Sequence, residues 1–271
     1  MKAKAFLLMT AGFVFSAMLA GTPVKAKEPG PADDGKSAEQ AKSVMKRMAD
    51  YLSQAKRFSV TVDTGFDAVQ EFGQKIEFGE TRKIVISRPD RLRIDATKRD
   101  GSQSQMIFDG KEIVLSFARE NVYATEARPG TVDQAVEYFT NDLDMRLPLA
   151  EMLSSKLAEV LPDLVREAAY VEKSFVAGIP CDHVAFRGDE ADLQLWVAQG
   201  AKPLVQRLVI TYRRIDGRPQ FWAQFSNWDF APKVNDSLFV FKPPTGAAKI
   251  VFAPKLMTQP GGDVTKEGKL P

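Results

Sequence analysis

The chain has 271 residues, of which 44% are hydrophobic and 27% are charged, which is enough apolar content for one sizeable domain with its own core. Its 37 lysines and arginines are balanced by 35 aspartates and glutamates, so the composition does not favour nucleic-acid binding. The single cysteine, Cys181, permits no internal disulfide, and the fold must therefore be stable on its core alone.

Residues 1–26 have the pattern of an export signal. Lys2 and Lys4 form a basic end, residues 6–20 are an apolar run, and residues 24–26 fit a small-residue cleavage site. The apolar run is shorter than the about 20 residues of a transmembrane helix. We therefore expect cleavage near Ala26, a periplasmic location and no stable membrane span in the mature chain.

An amphipathic helix is predicted after the signal. Residues 27–36 are rich in proline, glycine and charge, which predicts a flexible lead-in. Over residues 37–55 apolar side chains recur at helical spacing, and Ser37 with Gln40 has the pattern of a capping box. We expect this helix to cover one end of a sheet, although its methionines would also suit contact with a ligand.

Residues 58–94 alternate, with apolar side chains at even positions and mostly polar ones at odd positions. This period of two is typical of strands that have one apolar and one wet face. Taken as a single strand, residues 58–72 would span roughly 45–50 Å at about 3.3 Å per residue, and strands of that length curl. The apolar face must be covered by helices, by another sheet or by a ligand.

Two groups of shorter strands are predicted around a helical segment. Asp-Gly pairs at 100–101, 109–110 and 216–217 separate strand-like runs and predict antiparallel hairpins. Residues 131–169 break this pattern: Thr131 and Gln134 form a second capping box, Pro148 opens another helical run, and Pro162 interrupts it. The strands are predicted over residues 92–97, 102–108, 112–117, 170–177, 181–188, 192–198, 204–215 and 219–228.

The sequence offers little chemistry for catalysis. No nucleophile motif, glycine-rich phosphate loop or metal-ligand spacing is present. Cys181 and His183 would share one face of a strand, but a catalytic pair also needs an orienting group and an oxyanion site. We therefore expect no enzyme, no cofactor and no metal. The arginines and lysines between residues 82 and 99 either face a phosphate headgroup or acidic partner, or form a solvated face balanced by nearby acids.

Several short segments, in their order along the chain, resemble the LolA/LolB-like group of periplasmic lipoprotein carriers. They are RPDRLRI at 88–94, IFDGK at 107–111, NVY at 121–123 and FVFKPPTGA at 239–247. Over roughly residues 45–251 the chain is most similar to an uncharacterised bacterial family of that superfamily, domain of unknown function 2092. The resemblance implies a strongly curved antiparallel sheet that forms an incomplete barrel, with helices lying over its mouth as a lid. It also implies that acyl chains are held without cofactor or covalent chemistry.

We thus predict a mainly β, LolA-like half-barrel over residues 37–253, with lid helices at about 131–169 and a disordered tail at 254–271. Between sheet and lid it would hold a lipid, a lipoprotein acyl chain or another hydrophobic ligand. The alternative is a sensor or interaction module that binds another envelope protein and fills the hollow with its own helices, because core and lipid pocket are lined by the same residue types. The candidate lining residues are Phe66, Phe72, Ile84, Ile86, Leu92, Ile94, Met106, Phe108, Phe221, Trp222 and Phe225 from the sheet, and Val136, Phe139, Met152 and Leu153 from the lid.

Overall fold

The computed structural model describes residues 34–143 and 148–252. The predicted signal at 1–26, most of the lead-in and the predicted tail at 254–271 lie outside the described residues. Within the described part, twelve strands form one sheet whose inner face is covered by helical segments. No helix in this part of the chain is both long and apolar enough to cross a membrane.

The described elements follow each other in the order helix, six strands, helical segment, five strands and a last short strand. The strands are β1 (Arg57–Val69), β2 (Lys75–Ser87), β3 (Arg91–Lys98), β4 (Gln103–Phe108), β5 (Glu112–Phe117), β6 (Val122–Ala127), β7 (Glu167–Val176), β8 (Ile179–Arg187), β9 (Ala191–Ala198), β10 (Val205–Tyr212), β11 (Gln220–Asp229) and β12 (Ala248–Lys249). The helices are α1 (Asp34–Ser53), α2 (Val132–Glu137), a π turn (Tyr138–Asp142), α3 (Leu157–Val160) and 3-10 turns at Glu151–Leu153, Leu161–Leu164 and Asp236–Phe239.

The sheet is open, and its strand order is β12-β6-β5-β4-β3-β2-β1-β11-β10-β9-β8-β7. The chain meanders from β1 in the middle out to β6, crosses to β7 on the opposite edge, and returns strand by strand to β11 beside β1. Within this order β12 pairs with β6 in parallel, and the other neighbours are antiparallel. The predicted mainly β, incomplete barrel with a helical lid is confirmed.

The apolar side chains at even positions form the core on the inner face of the sheet. Phe58, Val60 and Val62 of β1 are each at most 3% exposed, whereas the odd positions between them are partly exposed. Burial of a side chain of this size contributes about 1.5–3 kcal/mol relative to exposure. The inner face therefore holds the main core, and α1 and the lid pack against it.

Helix α1 begins earlier than the capping-box pattern predicts. It starts at Asp34, so Ser37 lies inside the helix and is not its N-cap. The Ser37 hydroxyl accepts a hydrogen bond from the backbone N–H of Tyr170 at 3.0 Å, which ties the helix to edge strand β7. The predicted cap was wrong because a serine that can bond a neighbouring strand is not held at the helix terminus.

The long first strand is present but ends three residues earlier than the predicted 58–72. Strand β1 ends at Val69, a turn follows, and Gly73 in that turn has a φ of +83°. Phe72 lies at the tip of the turn and is 79% exposed. Its assignment to the lining of the hollow was therefore wrong, because the alternation continued by chance through residues that form the turn.

The lid is less helical than predicted. The Thr131 capping box is confirmed: the Thr131 hydroxyl accepts from Gln134 N–H, and the Gln134 side chain accepts from Thr131 N–H. The helix expected from Pro148 is broken into short turns, because Asp133 accepts hydrogen bonds from both the backbone and the hydroxyl of Ser155. That backbone N–H is thereby withdrawn from any helical ladder.

A small second core on the outer face was not predicted. The segment after β11 crosses the outside of the sheet, and Phe239, 3% exposed, packs on Val85, Ile107 and Val114. Arg93 Nη1 donates to the carbonyl of Leu238 at 2.9 Å and fixes the crossing. These contacts explain why apolar residues occupy odd positions in β2 and β4.

Candidate functional site

The inner face of the sheet and the lid meet along an apolar seam. Most of the predicted lining residues lie on this face or on the lid that covers it. Buried among them are Ile84, Ile86, Leu92, Phe108, Phe221, Phe225, Val136, Phe139 and Leu153, and partly buried are Phe66, Ile94, Met106 and Met152.

Trp222 is on the wrong side of the sheet for this seam. Its neighbour Phe221 pairs with Phe66 on the inner face, so Trp222 points outward, where it pairs with Gly65. Its indole N–H donates to Glu77 at 3.0 Å, and the Arg207 guanidinium lies 5.6 Å from its ring. The prediction for Trp222 was wrong because successive residues of a strand face opposite sides.

The bare Cα of Gly65 provides the room for this indole, since a Cβ there would lie 2.5 Å from Trp222 Nε1. We expect Gly65→Ala to displace the ring and lower the free energy of unfolding by about 1–3 kcal/mol. Denaturant titration followed by tryptophan emission measures both effects. Ser59→Ala, on the outer face of the same strand, is the control, and an equal response of the two variants would contradict this packing.

The seam is closed in this structure. A cavity of only about 10 Å³ lies in it, between Phe58, Val60, Ile84, Phe225 and Trp228 of the sheet region and Leu149, Met152 and Leu153 of the lid. Sites for drug-sized ligands enclose about 300–1,000 Å³, whereas about 10–15 Å³ holds one water. An acyl chain would enter only if the lid moved.

Arg88 stands at the end of this seam. It continues the even-position row of Ile84 and Ile86, and its Nη1 donates to the carbonyl of Leu153 on the lid at 2.9 Å. Its Nε and Nη2 are buried and find no acceptor among the described residues. Burial lowers the pKa of this guanidinium, and the charge of Asp133 partly opposes that shift. An arginine nevertheless stays charged, so the seam ends at a cation with two unused donors.

Among the described residues, few polar contacts hold the lid to the sheet. Besides the Arg88 bond, the backbone N–H of Val132 donates to the carbonyl of Pro89 at 2.8 Å, and the Arg128 guanidinium, just after β6, lies 3.7 Å from the centroid of the Tyr138 ring. The 2.7 Å pair of Lys156 with Glu137 joins two parts of the lid to each other. Apolar packing therefore supplies most of the attachment, and such packing has no fixed direction.

Sequence reasoning placed Arg88 in the basic cluster and in the RPDRLRI segment, and missed its position at the end of the seam. The signal that would have found it is parity, because position 88 extends the apolar even row beyond Ile86. Three other arginines of the cluster are paired at odd, outer positions: Arg91 with Asp90, Arg93 with Asp95 and Arg99 with Asp63. Arg82 shares the even, inner parity of Ile84 and is paired with Glu80, so its charge is already balanced.

Cys181 and His183 do not form a reactive pair. The Cys181 thiol is fully buried and donates to the carbonyl of Ile179 at 3.3 Å, and burial raises its pKa. The His183 ring stacks on Trp196 at 4.1 Å between centroids and its Nε2 bonds Gln194, while burial lowers its pKa. Among the described residues, no group of three or more histidines, cysteines or acids is arranged to hold a metal.

We expect the Cys181 thiol to react with a disulfide reagent only when the fold opens, because a buried thiol of raised pKa is little ionised at neutral pH. At pH 8 the labelling rate of Cys181 would equal about the rate of a free thiol multiplied by the equilibrium constant for local opening of the fold. Labelling in increasing urea measures this rate. Rapid labelling without denaturant would contradict the assignment of Cys181 to the interior.

An open antiparallel half-barrel whose inner face is closed by a helical lid is the class of fold that this chain defines. The profile of a family described as "Predicted periplasmic protein (DUF2092)" matches residues 41–253. The chain therefore belongs to that family, and the resemblance noted in its sequence is confirmed. No curated protein matches the sequence significantly.

Solved structures with a similar arrangement come from several bacteria. The Mycobacterium tuberculosis lipoprotein LppX is 11% identical with a TM-score of 0.48, over 73% of this chain and 100% of that one. LprF from Mycobacterium bovis is 12% identical with a TM-score of 0.47, over 78% and 99%. A LolA superfamily protein from Nitrosomonas europaea is 9% identical with a TM-score of 0.37, over 74% and 97%. At these scores the likenesses carry no argument about what this chain binds.

Proposed function

We propose that this chain, after export and removal of residues 1–26, reversibly binds an acyl chain with an anionic or ester headgroup between the sheet and the lid. In this proposal the closed seam opens to admit the acyl chain. Binding in this proposal is non-covalent, and the seam supplies apolar surface and the Arg88 cation. The family's description as predicted periplasmic proteins supports the location.

The observation that carries the proposal is the guanidinium of Arg88, whose Nε and Nη2 are buried and have no acceptor among the described residues. Leaving a buried donor without an acceptor lowers stability by about 1–3 kcal/mol, and by more when the donor is charged. A carboxylate, phosphate or ester oxygen at the end of an acyl chain would supply the missing acceptors. The chain itself would then lie along the apolar seam that begins at Leu153.

The energetics fit a single acyl chain. Moving only the part of the lid between Leu149 and Leu161 away from the sheet exposes Leu149, Leu153, Leu157 and Leu161, all at most 8% exposed. At about 1.5–3 kcal/mol per side chain this costs roughly 6–12 kcal/mol, and each buried methylene returns about 0.8 kcal/mol. A chain of about 8–15 methylenes would therefore offset lid opening.

The direct test is native mass spectrometry with lipid extraction. Mature protein, residues 27–271, is purified from a periplasm without harsh detergent and its mass is compared before and after extraction. A stoichiometric hydrophobic adduct, or saturable uptake of a fluorescent fatty acid by the extracted protein, is the expected result. The proposal would be overturned if the purified protein had the mass of the polypeptide alone and the extracted protein bound no fluorescent fatty acid.

A second candidate function is an interaction or sensor module whose hollow is filled by its own lid, and the closed seam favours it. Hydrogen exchange separates the two candidates. A carrier lid opens locally, so its amides exchange faster than those of the central strands, whereas a permanent core exchanges only with global unfolding. Lid amides as protected as those of β1 would make the interaction module the better account.

A further inference from the structure

The outer face of the sheet carries a groove that the lipid proposal does not use. It lies over β3, β4 and β5 and is bounded on its other side by Phe241, Lys242 and Pro244 of the crossing segment. Its volume is about 320 Å³, within the range of small-molecule sites. The inner seam and this groove lie on opposite faces of the sheet.

The strand register sets polar side chains in rows along the floor of this groove. Asp95 lies opposite Gln105, which lies opposite Ser116, and Thr97 lies opposite Gln103 in the next row. Asp95 is held by Arg93 at 2.8 and 3.1 Å and by the Gln105 amide nitrogen at 2.7 Å. The Gln105 carbonyl oxygen is consequently left as a fixed acceptor.

Most of the other polar groups of the floor are uncommitted. Within the described residues, the side chains of Thr97, Gln103 and Ser116 have no hydrogen-bond partner, and Lys242 has no acidic partner. Together they present hydroxyl and amide groups that both donate and accept, plus one cation. At the wall, the Phe241 ring packs on Tyr123 at 5.3 Å between centroids and is thereby held in place.

This combination points to a saccharide. Sugar hydroxyls donate and accept at neighbouring carbons and suit rows of hydroxyl and amide groups, while the C–H face of a sugar ring packs on an aromatic ring. Acyl chains would leave these polar groups without partners, and a polyphosphate would need more than one free cation. We propose that the groove binds an acidic saccharide, with about one or two sugar units on the floor and a carboxylate facing Lys242.

The test uses hyaluronan tetrasaccharide, which carries carboxylates, and neutral chitotetraose as probes, titrated into the full mature chain by isothermal calorimetry. The wild-type protein is expected to bind hyaluronan tetrasaccharide at least several-fold more tightly than chitotetraose. Gln105→Leu should weaken binding of both probes about tenfold. Lys242→Ala should remove the preference for the acidic probe and leave chitotetraose binding unchanged.

Gln224→Leu, on the outer face of β11 and outside the groove, is the matched control and should bind like wild type. The proposal would be overturned if neither probe bound at about 10 mM. It would also be overturned if Gln105→Leu and Gln224→Leu bound the probes with equal affinity. If a glutamate-rich peptide binds the groove with higher affinity and displaces the saccharide, the proposal is also overturned and the groove is a peptide site. Fatty-acid uptake by Gln105→Leu should equal that of wild type, which separates this result from the lipid proposal.

Discussion

A Phe108→Asp variant is expected to lose its cooperative unfolding transition, because Phe108 is 1% exposed on the inner face between β3 and β5. Removing a buried phenylalanine costs about 3–5 kcal/mol, and burying an unpaired carboxylate costs several more. The sum approaches the whole stability of a typical domain, about 5–15 kcal/mol. Circular dichroism during heating measures the transition.

Phe72→Asp is the matched control for this change, with the same two residue types at a position that is 79% exposed. Its free energy of unfolding should stay within about 0.5 kcal/mol of wild type. A folded Phe108→Asp protein would show that the inner face tolerates charge. Water or a ligand would then have to reach Phe108, contrary to the closed seam.

The second large effect is expected on binding. Arg88→Met removes the cation while keeping an apolar side chain of similar reach, so the affinity for a fluorescent fatty acid should fall about 10- to 150-fold, as for loss of a charged hydrogen bond of 1.5–3 kcal/mol. Stability should change little, because loss of the hydrogen bond to Leu153 is offset by replacing a buried charge with two unpaired nitrogens by apolar packing. Fluorescence titration and urea unfolding of the same sample measure both quantities.

Arg88→Lys keeps the charge but loses the planar fork, and its affinity should lie between those of wild type and Arg88→Met. Arg91→Met is the control on the outer side of the hairpin, where Arg91 contacts Asp90 and the carbonyl of Asp109. Equal loss of affinity in Arg88→Met and Arg91→Met would show that general surface charge, and not the seam cation, governs uptake.

Much of the sheet was predictable because alternation is a strong signal where one face is buried. Within β1, β2 and β3 the even positions correctly marked the inner face, and the glycine of each Asp-Gly pair has a positive φ, as at Gly101 and Gly110. The Thr131 capping box also formed as expected. These features are local, so the sequence around them contains most of the determining interactions.

The errors arose where a distant partner decided the outcome. Ser37 bonds strand β7 more than one hundred residues away, and Asp133 interrupts the predicted helix by bonding Ser155. Phe72 matched the alternation but belongs to a turn. No local pattern contains such partners, which is why the lid and the second core on the outer face had to be seen in the structure.

The crossing of the chain from one sheet edge to the other also has a kinetic consequence. Strands β1 to β6 pair with near neighbours along the chain, so they are expected to assemble early, whereas Val62 of β1 must wait for Phe225 near the end of the domain. Loop-closure entropy makes such distant pairings slow. During folding, the edge of β1 would stand open until β11 arrives, and that exposed edge is where a chaperone would have most effect on the yield of folded protein.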